Sequence, residues 1–310
     1  MTKRQMHPKI KHRKWAFRHR MTSSLRVVFD IVLGGIFFGA VFFMFLYFLM
    51  PALEQKQGTD KPAAAQADPV DSFNMLPVTD DNNDTPVQIM LLRLDASRGH
   101  IYVTPVPTEL SVSENGEATA ISQLIKEDDL SDAVSALEKA AGIKIEYRCL
   151  LKADEISNLI AIFGGFVYTV PYSISDPSPQ PGFAANIQAG SNVIDDKKAL
   201  TLMSYAGYEG GAQKRYEVQA GMMKSFIEQK LTVQSFDDTG DSFKNIFNMV
   251  QTNFSLVDLL DKSDSFRAIV NRKDFAVSIL PSYSQSRQNG ETLYRLDAKT
   301  KSQIRKYFSQ

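Results

Sequence analysis

Short apolar runs separated by polar turns fill the chain from Phe73 onward, and their spacing predicts strands alternating with helices. Ile89–Leu94 and Ile101–Pro105 flank Ala96-Ser97-Arg98-Gly99, a turn-forming stretch that predicts a hairpin. Apolar residues at helical spacing in Ala133–Ala141 stop at Gly142, a residue suited to a left-handed cap. Ile143–Leu151 reads as a strand. Ala153–Phe163 reads as an amphipathic helix ended by Gly164-Gly165, with a strand at Phe166–Val170 before Pro171. Ala199–Tyr205 begins another buried element, and Tyr216–Leu231 predicts a helix with Val218, Met222, Phe226 and Ile227 on one face. Further on, helices are expected around 242–260 and 298–308, and strands at 274–280 and 292–296. Such alternation defines an α/β or α+β fold with a central mixed sheet. No internal repeat is evident.

The N-terminal sixth of the chain has a different texture. Val27–Met50 is an almost unbroken apolar run with Asp30 its one charged residue. At a rise of about 1.5 Å per residue it would span about 36 Å, enough to cross a bilayer core of roughly 30 Å. It is longer than the apolar part of a cleaved signal peptide and lacks a small-residue cleavage site at its end, so an uncleaved anchor is expected. Asp30 lies close to the basic flank, within reach of the interface.

Charge is distributed in keeping with this. Lys+Arg and Asp+Glu each total 35, but residues 1–26 hold nine basic side chains and no acid, leaving 26 basic against 35 acidic beyond. By the positive-inside rule residues 1–26 form a cytoplasmic tail and 27–50 a single membrane span. Residues 51–72, polar and rich in Pro and Ala, read as a flexible linker, and 73–310 as one folded domain outside the membrane. A basic tail with Trp15 also resembles a nucleic-acid patch, but directly before an anchor it is read as binding anionic lipid, and no nucleic-acid partner is expected.

Several chemistries are excluded. Cys149 is the sole cysteine, so no intrachain disulfide exists, and a large exported domain without disulfides suits a bacterial surface. Cys149 itself is expected to be buried and inert. Of four histidines only His100 lies in the exterior part, which leaves no His-based metal site. The glycines at 207, 210 and 211 are not followed by the Lys-Ser ending of a phosphate-binding loop.

An ordered series of segments resembles the LytR–CpsA–Psr family of membrane-anchored envelope proteins. Phe73-Asn74-Met75-Leu76 is similar to the family's opening "FNILLLG" strand, Ile89-Met90-Leu91-Leu92 through Asp95 to "DTIMLV…D", and Thr104–Glu109 stands in the place of "SIPRDT". Ile156–Pro171 resembles "LVDALGGVEVDVP". Ile187-Gln188-Ala189-Gly190 followed by Ala199-Leu200 resembles "LKPGxxxLxxxxALxYVRYR", and Gln213–Met223 takes the place of "DxGRxxRQQ". Thr252-Asn253-Phe254 and Ile279-Leu280-Pro281 resemble the family's ending. The resemblance covers about 73–310.

The resemblance implies a mixed sheet flanked by helices, an apolar groove for a polyprenyl tail, and transfer of a glycan phosphate from polyprenyl pyrophosphate to a wall sugar. That chemistry needs arginine forks for the pyrophosphate and carboxylates for Mg²⁺. Here the Arg-Asp of the "PRDT" turn is Thr108-Glu109, the arginines of "RYR" are Ser204 and Ala206, and the second Arg of "DxGRxxRQ" is Val218. The Asp opening that last motif falls near Gly211-Ala212, and the "SDT" Asp near Pro86-Val87. Arg215 and Gln219 remain, with Lys214 beside them, as candidate phosphate or lipid contacts, and Arg215 is the one candidate for catalysis. Asp80 and Glu109 are the candidate metal carboxylates, with Asp81 and Asp84 close to the first. The expectation is a degenerate member that binds or regulates, with polyprenyl-linked glycan or other envelope proteins as partners and no cofactor. The alternative is an active transferase using Mg²⁺ and Arg215 with Lys214, Arg93 or Arg148. Basic side chains converging on one pocket mouth favour the enzyme; a neutral mouth favours the binder.

Overall fold

The computed structural model describes residues 72–81, 83–114, 116–126, 129–232, 250–288 and 290–309. The expected tail, membrane span and linker (save Ser72) lie outside them, as does the 242–249 part of one expected helix. Among the described residues no helix is long and apolar enough to cross a membrane.

A six-stranded mixed sheet organises the domain. Strands β1 (Phe73–Asp80), β2 (Pro86–Asp95) and β3 (His100–Val106) form an antiparallel meander. The sheet is completed by β6 (Tyr147–Leu151), parallel to β1, and by two short edge strands further along the chain. Between β3 and β6 come a polar hairpin, β4 (Ser111–Glu114) and β5 (Glu117–Ala120), and helix α1 (Ser131–Ala141). After β6 the chain forms α2 (Ala153–Phe163) and β7 (Phe166–Val170). The small strands β8 (Ile174–Ser175) and β9 (Asn186–Ile187) pair with each other, and β10 (Gly190–Ile194) pairs with β7. Helices α3 (Asp196–Ser204) and α4 (Gly211–Lys230) follow. The C-terminal part holds β11 (Gln251–Thr252), α5 (Leu256–Asp261), α6 (Ser263–Val270), β12 (Ala276–Ser278), the hairpin β13 (Ser284–Gln288) and β14 (Glu291–Arg295), and α7 (Ala298–Phe308). The main sheet runs β11–β6–β1–β2–β3–β12.

Alternation along the strands divides the sheet into two faces. Leu76, Val78, Ile89, Leu91 and Leu150 enter one apolar cluster with Leu137 of α1 and Ile304 and Phe308 of α7. Phe73, Met90, Leu94 and Val103 belong to a second, on the other face, with Ala220 and Ile227 of α4. A third cluster joins α2, α3, β7 and α4 through Ile160, Leu202, Phe166 and Val218.

The first face also carries a buried polar network. Arg93 donates to Asn74 Oδ1 at 3.3 Å and pairs with Asp95 at 3.5 Å, while Asn74 Nδ2 donates to the carbonyls of Lys144 and Phe308. Asp95 also receives Ser97 Oγ and the Arg98 amide and guanidinium. Although burial alone would raise its carboxyl, these donors and the Arg93 and Arg98 charges hold it below the usual carboxylate range.

Two glycines are sterically required. Gly142 has φ +70° and closes α1, and a side chain there would collide with the Arg305 guanidinium, whose Nε donates to Ala141 O at 2.9 Å. Gly165 faces the Ile194 carbonyl so closely that even a methyl would force β7 and β10 apart.

Some expected boundaries are corrected. Residues 143–146 lie outside any strand, and β6 starts only at Tyr147. At 251–252 the chain is strand, not helix. Thr252 Oγ1 donates to Arg148 O, tying this segment to β6, and the helix waits for the capping box of Ser255 and Asp258. The helix expected from Tyr216 begins five residues earlier, at Gly211.

Candidate functional site

A cavity of about 320 Å³ lies between the second face of the sheet and helices α2, α3 and α4. Its floor is the in-facing set of β1 and β2, Phe73, Met75, Pro77, Thr79, Gln88, Leu92 and Leu94, with Cys149 and Leu151 of β6. Ile156, Leu159 and Ile160 of α2, Met203 of α3, and Met222, Met223 and Phe226 of α4 form the roof. Among the described residues, no Asp, Glu, Lys, Arg or His lines it. A void of this size and lining takes an apolar ligand. The helix face expected from Val218, Met222, Phe226 and Ile227 is thus part core, part chamber wall.

Cys149 faces this void and keeps some accessible surface there, yet surrounding protein pushes its thiol up to about 12. At pH 7.5 so little thiolate exists that maleimide should label Cys149 about a thousandfold more slowly than an ordinary exposed thiol. Labelling followed by mass spectrometry checks this, and rapid labelling at neutral pH would contradict the burial described.

One end of the chamber is marked by Thr79, Gln88 and Met203, and the candidate site residues gather around that end. Gln219 is buried and donates Nε2 to the carbonyls of Val87 (3.1 Å) and Met203 (2.6 Å), so it ties α4 to β2 and to the end of α3. Its amide nitrogen is committed to the backbone. Arg215 pairs with Glu109 at 3.5 Å and lies over the Tyr216 ring at 5.5 Å. Glu109 also accepts from Tyr216 Oη (3.0 Å) and Thr108 Oγ1 (2.9 Å), and burial, with the Glu109 charge, raises the Tyr216 phenol well above its ordinary range. The acid in the family's Arg-Asp turn therefore faces the one motif arginine that survives. Because Glu109 is partly exposed, this pair stabilises by no more than about 1 kcal/mol. Lys214 pairs with Glu217 at 2.8 Å, one turn along α4.

The remaining candidate arginines do not join Arg215. Arg93 belongs to the network on the opposite face, and Arg148, alternating with the chamber-facing Cys149, lines a separate pocket of about 170 Å³ with Gln251 and Asn253. The positions that replace family arginines differ in setting. Ala206 is exposed and Ser204 half-buried at the end of α3, whereas Val218 is fully buried among apolar residues.

Asp80 is buried at the end of β1 with Oδ1 unpartnered. Burial first, then the Asp84 and Asp81 charges, raise its carboxyl to about 6 against the opposing pull of Lys152. Asp81 accepts from the amides of Asn83 and Thr85, and Lys152 pairs with Asp84 at 3.0 Å. Among the described residues no group of three or more His, Cys, Asp or Glu side chains is placed to hold a metal ion. With an ammonium already at the acidic turn and Glu109 turned to Arg215, these carboxylates do not fit a Mg²⁺ site. Sequence reasoning missed Tyr216, which falls on an unspecified position of its motif segment, and Tyr294 and Lys152, which lie outside the motifs; tertiary packing brings each to this end.

This arrangement, an apolar chamber under a mixed sheet with its polar end at the close of β1 and β3, defines an α/β domain built around a cavity for an apolar ligand. The chain belongs to the LytR_cpsA_psr family, whose model matches residues 53–309. Its fold is similar to a protein from Eubacterium siraeum described as a transcription regulator (17% identity, TM-score 0.68, covering 81% of this chain and 98% of that one). It is similar also to B. subtilis TagV (16% identity, TM-score 0.62, 76% and 95% covered). A third similar structure is TagT bound to LIIa-WTA (15% identity, TM-score 0.59, 82% and 93% covered). Among curated protein sequences no match was found.

Proposed function

We propose that this protein is a membrane-anchored, extracytoplasmic member of the family that takes up the polyprenyl chain of a lipid-linked glycan and does not transfer the glycan. The anchor is the apolar run 27–50, with residues 1–26 in the cytoplasm. The observation that carries the reading is the chamber itself: among the described residues its walls carry no charge, and the basic side chains at its polar end, Lys152, Lys214 and Arg215, are each paired with an acid. An apolar chamber gains free energy from a prenyl tail at about 25 cal/mol per Å² buried. A pyrophosphate head needs several charge-assisted bonds, each contributing roughly 1.5–3 kcal/mol, and Arg215, shared with Glu109, supplies few of them. That TagT is described bound to LIIa-WTA supports a glycan-bearing ligand for this chain as well. A role as binding or regulatory partner in wall glycopolymer assembly follows.

Two measurements test this. Mass spectrometry of the full-length protein extracted from membranes is expected to find a polyprenyl lipid. Incubation with a polyprenyl pyrophosphate glycan, with or without Mg²⁺, is expected to give no transfer; measurable turnover that falls in Arg215→Ala sinks the proposal. The missing cradle can also be supplied. Glu109→Gln with Ser204→Arg and Ala206→Arg is expected to raise affinity for the pyrophosphate lipid about tenfold or more, with the gain weakening as salt rises. Val218→Arg does not belong in this set, because it would bury an unpaired charge in the core.

A further inference from the structure

Helix α5 presents apolar surface outward. Leu259 turns inward, into the cluster that holds Phe254 and Phe266, while Val257 and Leu260 are 65% and 60% exposed. The helix cannot roll to hide them: Tyr147 Oη donates to Asp258 at 3.0 Å, and Asp258 closes the capping box with Ser255. Phe254, two residues before the helix, and Phe266, within α6, both line the chamber, so α5 is a lip at the end opposite Thr79 and Gln88. The chain arrives at this same lip. The Phe73 ring stacks on Phe254 at 5.5 Å and meets Tyr147 edge-on at 5.0 Å, and Ser72 Oγ accepts from the Ala96 amide.

We infer that α5 is a membrane-docking lip, with Val257 and Leu260 seated in the acyl layer of the bilayer. The inference rests on the reading of 27–50 as an anchor. Only residues 51–71 separate that run from Ser72, and 21 residues reach at most about 75 Å, so the domain is tethered to the bilayer by the end at which the lip lies. Charges around the lip are mixed, Asp258, Asp261 and Asp264 against Lys262 and Arg267, so apolar insertion rather than attraction to anionic lipid drives the contact. Lys262 Nζ, 5.7 Å from the centre of the Phe73 ring, can rest its stem on the lip with its ammonium at the headgroups. A lip in the bilayer brings the Phe254 and Phe266 end of the chamber, the end away from the polar candidates, to the acyl chains.

The test uses the full chain in phosphatidylcholine vesicles, in a Cys149→Ala background. Val257→Cys, Leu260→Cys and, as an exposed control on β10, Val193→Cys each carry an environment-sensitive fluorophore. Labels at 257 and 260 are expected to shift to the blue and be quenched about fivefold more than the label at 193 by lipids with nitroxide on the acyl chain. Labels at all three sites that stay in water, in a chain that remains with the vesicles after alkaline washing, overturn the lip and leave the anchor standing. A chain that washes off fails at the anchor and takes the lip with it. A blue shift without nitroxide quenching that disappears when empty vesicles are added assigns the face to a second copy, which also overturns the proposal.

Discussion

Filling the chamber should abolish lipid binding while leaving the fold intact. Cys149 and Ala199 both line the void, one from β6 and one from α3. In Cys149→Trp with Ala199→Phe, the new rings occupy space that no side chain uses now. The expected result is at least a tenfold loss of co-purifying polyprenyl lipid, read by mass spectrometry. The melting temperature should change little or rise, because an empty void withholds dispersion contacts from its lining. The two readouts distinguish a ligand chamber from a packing defect. If lipid were bound elsewhere, its yield would survive the substitution. If the void were already closed in solution, the added rings would overpack the core and lower the melting temperature by several degrees.

The second large effect concerns Asp80 and pH. Its carboxyl is raised from 3.8 to about 6 in the folded protein. The protonated form is therefore favoured by folding. Below about pH 4 both states hold the proton and Asp80 costs nothing; between about pH 4 and 6 the unfolded chain releases its proton while the folded state keeps it, so stability falls across that range and stays low above it. Asp80→Asn keeps the shape and removes the charge. The variant should match the parent near pH 4 and exceed it by on the order of 2 kcal/mol at pH 7.5, a gain of about 4–8 °C in melting temperature. Thermal unfolding at the two pH values checks this. A variant less stable than the parent at pH 7.5 would show that a cation or solvent compensates the carboxylate, and would reopen the turn as a metal site.

Helices with a clear apolar stripe were legible in the sequence. Ala153–Phe163 ends where its glycines say it must, and Phe166–Val170 is a strand to the residue. β1 is visible mainly through resemblance, because Pro77 interrupts its pattern in the middle of a central strand. Gln251–Thr252 is too short to carry a period; its strand state comes from Arg148 on another element. At the site, the missing arginines could be read directly. The chamber could not, since Met222 or Leu159 in a cavity wall looks the same along the chain as Leu137 in solid core. Nor could the partner of Arg215 be foreseen: along the chain Glu109 reads as a metal carboxylate, and only the approach of α4 to the end of β3 shows what it faces.

The two-faced sheet also makes a statement about genetic tolerance. Arg93 lies between Leu92 and Leu94, which both line the chamber, and Arg148 lies next to Cys149. Slipping β2 or β6 by a single position would therefore swap a guanidinium into the chamber, and in β2 an apolar side chain into the Asn74–Asp95 network. Counting, not only chemistry, matters in such a strand. A library of codon insertions and deletions within 88–94 and 147–151 should survive poorly when the reading shifts by an odd number of residues and better when it shifts by two. The loop at 176–185, between β8 and β9, should absorb either.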